Sequence, residues 1–124
     1  MVLTGVHFLL YSTNPEADRA FLRDVLEFRS VDAGGGWLIF ALPPSELGVH
    51  PSSGDFVQQH AEHNLLGTVM YLMCDDLRAA IKAFASKNVK CTKVEEAGWG
   101  IKTTIVLPSG GEIGLYQPSH RTAI

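Results

Sequence analysis

The 124 residues suffice for one domain with its own hydrophobic core, and hydrophobic (46%) and charged (19%) residues stand in the proportion usual for globular proteins. The net charge of −3 argues against nucleic-acid binding, which requires a basic face. No apolar run approaches the roughly 20 residues that span a bilayer, and the N-terminus lacks a basic signal-peptide region. We therefore expect a cytoplasmic protein with no membrane or nucleic-acid partner.

The first half of the chain predicts one helix among four strands. Apolar residues on both faces of residues 3–11 indicate a strand that is covered on both sides. Asn14 or Thr13 can cap a helix that starts at Pro15 and ends near Glu27. Three further strands are predicted at residues 29–33, 37–42 and 46–50.

The second half repeats this order after a long polar connector. A strand is predicted at residues 67–74, and then Asp75 or Asp76 caps a helix that ends near Asn88. Three more strands are predicted at residues 89–94, 101–107 and 112–117. The two cysteines, Cys74 and Cys91, fall in strands, and we expect both to be reduced and structural.

The two halves also end alike. Residues 42–51 and 107–118 each show a strand, a turn of Pro, Gly and Ser, a second strand and a proline. The repeat predicts an α+β fold of two tandem βαβββ modules with a cleft where the modules face each other. We expect a single domain over residues 1–124, with modules at 1–51 and 66–118, a connector at 52–65 and a tail at 119–124.

Three motifs add a family resemblance. FLRDVLEF at residues 21–28 is similar to the family helix end FYRDVLGF, Trp99-Gly100 matches its WG pair, and LPSGGEI at 107–113 stands at its DPDGN turn. With the repeat, they resemble the vicinal oxygen chelate superfamily, also called the glyoxalase/bleomycin resistance protein/dioxygenase family. Glu27 replaces the glycine of the helix end, so we do not expect a left-handed residue there. The resemblance implies a curled, barrel-like mixed sheet around a ligand, and a homodimer.

Metal-dependent members of this family take one ligand from the first, fourth, fifth and eighth strands. The resemblance places these positions on His7, Gly48, Thr68 and Gly114. Only His7 is a good ligand type, because glycine offers no side chain and a neutral hydroxyl binds these metals poorly. We therefore expect no metal and no other cofactor.

A displaced metal site is the alternative. Strand alternation lets His7, His50 and Glu112 form a set of two histidines and one carboxylate, which suits Fe, Ni, Zn or Mn. His60 and His63 could suit a metal on a helix, but a solvated loop is the favoured interpretation for them. The displaced site would make the protein a glyoxalase-like lyase or an extradiol-dioxygenase-like enzyme.

The favoured prediction is a protein of the bleomycin-resistance type that binds a small organic molecule without chemistry. Trp99 is the best candidate contact, because Gly98 and Gly100 leave it little to pack against locally. A structural or interaction role is the third possibility. The predicted ligand-binding residues are His7, Tyr11, His50, Thr68, Met70, Trp99 and Tyr116.

Overall fold

The computed structural model describes residues 1–124 and contains two helices and eight short strands. The elements in chain order are α1 (Pro15–Asp24), β1 (Ser30–Asp32), β2 (Leu38–Phe40), β3 (Val57–His60), β4 (His63–Leu66), β5 (Tyr71–Met73), α2 (Leu77–Ser86), β6 (Glu95–Ala97), β7 (Gly100–Val106) and β8 (Glu112–Pro118). This mixture of helices and strands confirms the predicted α and β composition. Neither helix is long and apolar enough to cross a membrane.

The chain divides into two compact units. The first contains residues 1–41 and 107–111, and thus α1, β1 and β2. The second contains residues 42–106 and 112–124, and thus the other seven elements.

Helix α1 of the first unit begins as predicted and ends earlier. The Asn14 side chain accepts a hydrogen bond from the Ala17 backbone N–H, and Pro15 occupies the first turn. The helix ends at Asp24, and Phe21 is its buried apolar residue. The prediction for Glu27 was wrong, because its φ of 58° places it in the left-handed region without glycine.

Asp18 joins α1 to the turn at residues 107–111. Its carboxylate is 7% exposed and accepts hydrogen bonds from the Ser12 hydroxyl (2.6 Å) and the Ser109 backbone N–H (3.0 Å). Burial alone raises the pKa of Asp18, but these hydrogen bonds outweigh it and hold the pKa below its ordinary value. Asp18 is therefore a buried anion held by two donors far apart in sequence.

The first unit also contains the β1–β2 hairpin. The two strands pair antiparallel, with Val31 opposite Ile39. The Asp32 carboxylate accepts from the backbone N–H groups of Gly34 and Gly36, which closes the glycine turn between the strands. The hairpin is thus held by local hydrogen bonds at its turn.

The second unit is built on a four-stranded sheet in the order β5-β8-β7-β6. β7 pairs antiparallel with both β6 and β8, so β6 and β8 run in the same direction. The α2 crossover leads from β5 to β6, and β5 pairs parallel with β8. The longest pairing joins β7 and β8 over seven residues on each strand. β5, α2, β6, β7 and β8 together give the βαβββ order that was predicted for this half.

The two faces of this sheet have different roles. Ile113 and Leu115 are buried on one face, opposite Ile105 and Thr103 of β7. α2 packs on that face, where the Gln117 side chain accepts from the Leu77 backbone N–H. The alternation of β8 therefore turns Gly114 and Tyr116 to the other face.

Several predicted strands are not formed. Residues 3–11 and 46–50 contain no strand, so the first half does not reproduce the βαβββ order. Apolar alternation describes a side-chain pattern, whereas a strand also needs a hydrogen-bonded neighbour. The tandem repeat and the curled sheet therefore stay predictions.

The predicted strand at residues 89–94 is replaced by β6 and an isolated bridge. β6 pairs Glu95 with Lys102, and Cys91 then pairs with Ile105. Between these two pairs, residues 92–94 lie opposite residues 103 and 104, and this one extra residue is a β-bulge that interrupts the strand. Both cysteines are free thiols, as expected.

The prediction of an irregular connector at residues 52–65 is also wrong in part. β3 and β4 form an antiparallel hairpin within residues 52–65 and one residue beyond. Its turn residues, Ala61 and Glu62, both have positive φ (49° and 67°), the geometry of a type I′ turn. The sequence does not predict the hairpin, because a type I′ turn usually carries Asn-Gly and this one carries Ala-Glu.

We predict that Asp18→Ala lowers the free energy of unfolding by about 1–3 kcal/mol, because the Ser109 N–H is left without its acceptor. Because the folded-state pKa of Asp18 is lowered, its stabilisation is present above the unfolded-state pKa and disappears as the pH falls through the folded value. Urea unfolding of wild type and variant measures both effects. Equal stabilities at neutral pH would contradict the prediction.

Candidate functional site

Three aromatic side chains meet at the face of the sheet opposite α2. Tyr71, Trp99 and Tyr116, here called the aromatic cluster, contact one another edge to face. The ring centroids of Trp99 and Tyr116 are 4.9 Å apart, and Tyr71 lies 5.6 Å from each. Such edge-to-face contacts between rings are favourable beyond the area they bury.

Glycines make room for these rings. Gly114 pairs with Tyr71 in the parallel β5–β8 ladder, and an added Cβ at Gly114 would overlap the Tyr71 ring. Gly100 has a φ of 151° and lies against the backbone of Gln117, where an added Cβ would also collide. Gly98 and Trp99 form the tight turn between β6 and β7. The close approach of Gly100 to β8 allows the Trp99 indole to contact the Tyr116 ring on that strand.

His120 and Glu46 add polar groups at Tyr116. His120 Nδ1 lies 2.9 Å from the Arg121 carbonyl, which can only accept, so Nδ1 carries a proton. In the neutral ring, Nε2 is then the acceptor, and the Tyr116 hydroxyl donates to it over 3.2 Å. The Glu46 carboxylate lies 3.8 Å from the same nitrogen and accepts from the Ala123 backbone N–H. This network therefore contains a donor, an acceptor and an anion.

Burial raises the pKa of Tyr116, and the negative charge of Glu46 raises it further. The phenol is therefore a hydrogen-bond donor at neutral pH and not a phenolate. His120 also stacks on the ring of Tyr116, with a centroid distance of 6.1 Å. The residues after β8 thus fold back over the aromatic cluster.

A second charged group borders the cluster on the β7 side. The Lys102 ammonium lies 5.5 Å from the Trp99 ring centroid, a cation–π distance, and 4.0 Å from the Glu95 carboxylate. Lys102 pairs with Tyr116 across β7 and β8, so it shares the face of the cluster. Both signs of charge therefore border the aromatic rings.

Exposure differs among the three rings. Tyr116 is 8% exposed, Tyr71 is half-buried and Trp99 is 38% exposed. Trp99 is thus the most accessible ring to a solute, and the buried Tyr116 ring packs against it.

A shallow, open depression of about 420 Å³ lies at the carboxyl ends of β5 and β8. The tail residues Thr122 and Ile124 form part of its wall. Burial raises the pKa of Cys74, which reduces its thiolate character. The lining residues are Met73, Cys74, Asp75, Gln117, Pro118, Thr122 and Ile124.

The structure brings together two of the seven predicted ligand-binding residues, Trp99 and Tyr116. His7 and Tyr11 lie exposed in the first unit. In the second unit, exposed His50 donates through Nδ1 to the carbonyl of Pro51, and exposed Thr68 donates to that of Leu66.

The remaining predicted contact, Met70, is half-buried just before β5. Its carbonyl accepts from the Gly114 backbone N–H. Its neighbour Tyr71, and not Met70, places a ring over Gly114.

The sequence does not predict Tyr71, His120 or Glu46 as site residues. The prediction took Met70 as inward-facing, whereas the register of β5 on β8 turns Tyr71 to the Gly114 face. Glu46 begins the predicted strand at residues 46–50 and His120 lies in the predicted tail, and neither position carries a sequence signal for this site. One signal in the sequence pointed to this face. Gly114 and Tyr116 are two residues apart on β8, so they share a face, and the missing side chain of Gly114 leaves space there for an aromatic ring from a neighbouring strand.

The structure contains no group of three or more His, Cys, Asp and Glu side chains that could hold a metal ion. Of the displaced set, Glu112 accepts a hydrogen bond from the Thr104 hydroxyl at 2.6 Å, and His50 contacts Pro51 as described. His7 lies in the first unit.

Comparison with solved structures finds the same fold in several proteins. TnmS3, an antibiotic binding protein from Streptomyces sp. CB03234, matches with a TM-score of 0.62 and 20% identity over 96% of this chain and 99% of that one. Lactoylglutathione lyase from Agrobacterium tumefaciens matches with a TM-score of 0.58 and 15% identity over 92% of each chain. No protein-family model matches the sequence, and no curated protein matches it significantly.

A member of the glyoxalase/bleomycin resistance protein/dioxygenase superfamily from Sphaerobacter thermophilus DSM 20745 also matches. Its TM-score is 0.57, with 20% identity over 93% of this chain and 98% of that one. This chain therefore has the fold of that superfamily, and the resemblance seen in the sequence is confirmed at the level of fold.

We predict that Gly114→Ala displaces the Tyr71 ring and lowers the free energy of unfolding by about 1–3 kcal/mol, as overpacking does. In a Tyr71→Ala background the same change should be nearly neutral, because the ring that it strikes is gone. Urea unfolding of the four proteins measures this coupling. Gly98→Ala is the control, since an added Cβ there meets no atom within 4 Å, and an equal loss in both backgrounds would contradict the prediction.

Proposed function

We propose that this protein is a member of the vicinal oxygen chelate superfamily that binds a small organic molecule without a metal ion. The observation that carries the proposal is the aromatic cluster with its partly exposed Trp99. A cytoplasmic location, predicted from the sequence, is part of the same proposal.

The chemistry of the cluster supports a planar ligand. An exposed indole edge and a half-buried phenol offer apolar area that a planar ring can cover, and aromatic contacts add about 0.5–1.5 kcal/mol beyond area burial. The nearby charges of Lys102 and Glu46 can orient polar substituents. Small-molecule sites commonly combine apolar walls with a few such polar groups.

The comparisons support binding as the function. One protein with this fold is described as antibiotic binding and covers nearly the whole chain. This fold is therefore compatible with a protein that binds a small molecule. The absence of a side chain at the family metal-ligand positions Gly48 and Gly114 supports binding without a metal ion.

The test of this proposal is a fluorescence titration with a panel of acridine, anthraquinone and isoalloxazine compounds. Trp99→Ala should weaken the binding of the best compound about tenfold, which corresponds to about 1.4 kcal/mol. Trp37→Ala is the matched control, because Trp37 is exposed but lies in the first unit. Equal losses in both variants, or no compound bound by wild type, would contradict the proposal.

The second candidate function is that of a metal-dependent lyase or an extradiol-dioxygenase-like enzyme. The observation that favours it is the fold similarity to lactoylglutathione lyase. The sequence names His7, His50 and Glu112 as its ligand set for Fe, Ni, Zn or Mn, although these side chains do not form a group that could hold a metal ion in the structure. In that case Glu112→Gln would abolish a metal-dependent activity on a glutathione hemithioacetal or a catechol. An activity that Glu112→Gln leaves unchanged would rule out this ligand set.

We also propose that the protein is a homodimer. Eight of residues 1–11 are large hydrophobic residues that are exposed. β5 is an edge strand of its sheet, since only β8 pairs with it. Exposed apolar segments and free strand edges are both features that proteins cover by association.

We predict that Leu9→Glu weakens dimer formation at least tenfold, because it places a charge in the apolar N-terminal segment. Sedimentation equilibrium over a range of concentrations measures the dissociation constant. Val31→Glu is the control, as Val31 is equally apolar and exposed but lies on β1. A wild-type chain that stays monomeric at all concentrations would refute the homodimer.

A further inference from the structure

The hairpin of β3 and β4 places two histidines opposite each other in its ladder. Its register pairs His60 with His63 across the two-residue turn. Both side chains are exposed, as are all other residues of the two strands. The sequence interpretation of a solvated loop would leave these imidazoles unrelated, whereas the hairpin makes them direct neighbours.

The geometry of an antiparallel pair favours convergence of the two rings. Directly opposed residues project to the same face with Cβ atoms about 4.5–5.5 Å apart. An ion bound at about 2.0–2.1 Å from each imidazole nitrogen can lie between two rings at this separation. The pair next to it in the ladder, Gln59 and Asn64, projects to the opposite face, where the two side chains hydrogen-bond to each other.

The turn holds the histidine pair in register. Ala61 and Glu62 both adopt positive φ, so the two strands are joined by the shortest common hairpin connection. The Gln59–Asn64 hydrogen bond on the other face also favours this strand register over a shifted one. The turn therefore keeps the two histidine positions opposite each other in the ladder.

Imidazole is a ligand for late first-row divalent ions, and Cu²⁺ stands at the head of their affinity order. Cu²⁺ also accepts a tetragonal arrangement in which two neighbouring positions are imidazole nitrogens and the rest are water. No third His, Cys, Asp or Glu completes a cluster here, so the site would be an open chelate at the surface.

We propose that His60 and His63 form a two-imidazole chelate for Cu²⁺, or more weakly for Ni²⁺ and Zn²⁺. This site is separate from the aromatic cluster and from the set of His7, His50 and Glu112. It does not depend on the proposed binding of an organic molecule.

The test is calorimetric titration of the untagged chain with Cu²⁺ alone, with glycine as a competing chelator. We expect one Cu²⁺ per chain in wild type. His60→Gln and His63→Gln should each weaken this binding at least tenfold, and the double variant should be only slightly worse than either. Gln58→Ala is the control, because Gln58 is an exposed residue of the same hairpin and is not a histidine, and it should change the affinity less than twofold.

A register variant separates a chelate from independent histidines. His63→Gln combined with Asn64→His keeps two histidines in the hairpin but moves one to the opposite face. It should bind Cu²⁺ as weakly as His63→Gln, and the electron paramagnetic resonance spectrum should lose one of two coordinated nitrogens. Wild-type affinity in this variant, or single variants within twofold of wild type, would overturn the proposal. Circular dichroism of each variant checks that the fold is retained.

Discussion

The pairing of β7 with β8 is the interaction on which the second unit depends. Seven residues on each strand form this antiparallel ladder, and β5 and β6 attach to its two sides. The ladder fixes the phase of β8, so that Ile113 and Leu115 turn to α2 and Gly114 and Tyr116 turn away. A shift of one residue would exchange the two sets, which would bury Tyr116 against the helix and expose the core.

The aromatic cluster follows from that phase. Gly114 leaves the space that the Tyr71 ring fills, and the Trp99 indole reaches the same face from the turn between β6 and β7. The residues after β8 then return to the cluster through His120, whose ring stacks on Tyr116. Groups from four separate parts of the chain thus depend on one strand pairing for their proximity.

Local signals predicted the parts of the fold that local chemistry decides. Asn14 and Asp76 cap the two helices as expected, because a side-chain oxygen next to free backbone N–H groups needs no distant partner. Asn88 adopts the left-handed conformation that ends the second helical segment. Glu27 also adopts the left-handed conformation, against expectation. The backbone direction needed after α1 therefore outweighs the low intrinsic preference of glutamate for positive φ.

The candidate site was predicted only in part for the same reason. Trp99 and Tyr116 are large, and their glycine neighbours are visible in the sequence, so both could be chosen from it. Tyr71 could not, because its face depends on the register between β5 and β8. His120 and Glu46 could not, because 74 residues separate two side chains that meet only through folding.

The sequence by itself determined the two helices, the β7-turn-β8 segment and the resemblance to a known fold. It also contains two similar strand-turn-strand endings, of which the one at residues 107–118 closes a ladder and the one at residues 42–51 forms no strand. Only the tertiary structure decided between them, because a strand exists through hydrogen bonds to a neighbour that the local sequence does not specify. The same physical reason applies to residues 57–66, where pairing turned an expected loop into a hairpin with two opposed histidines.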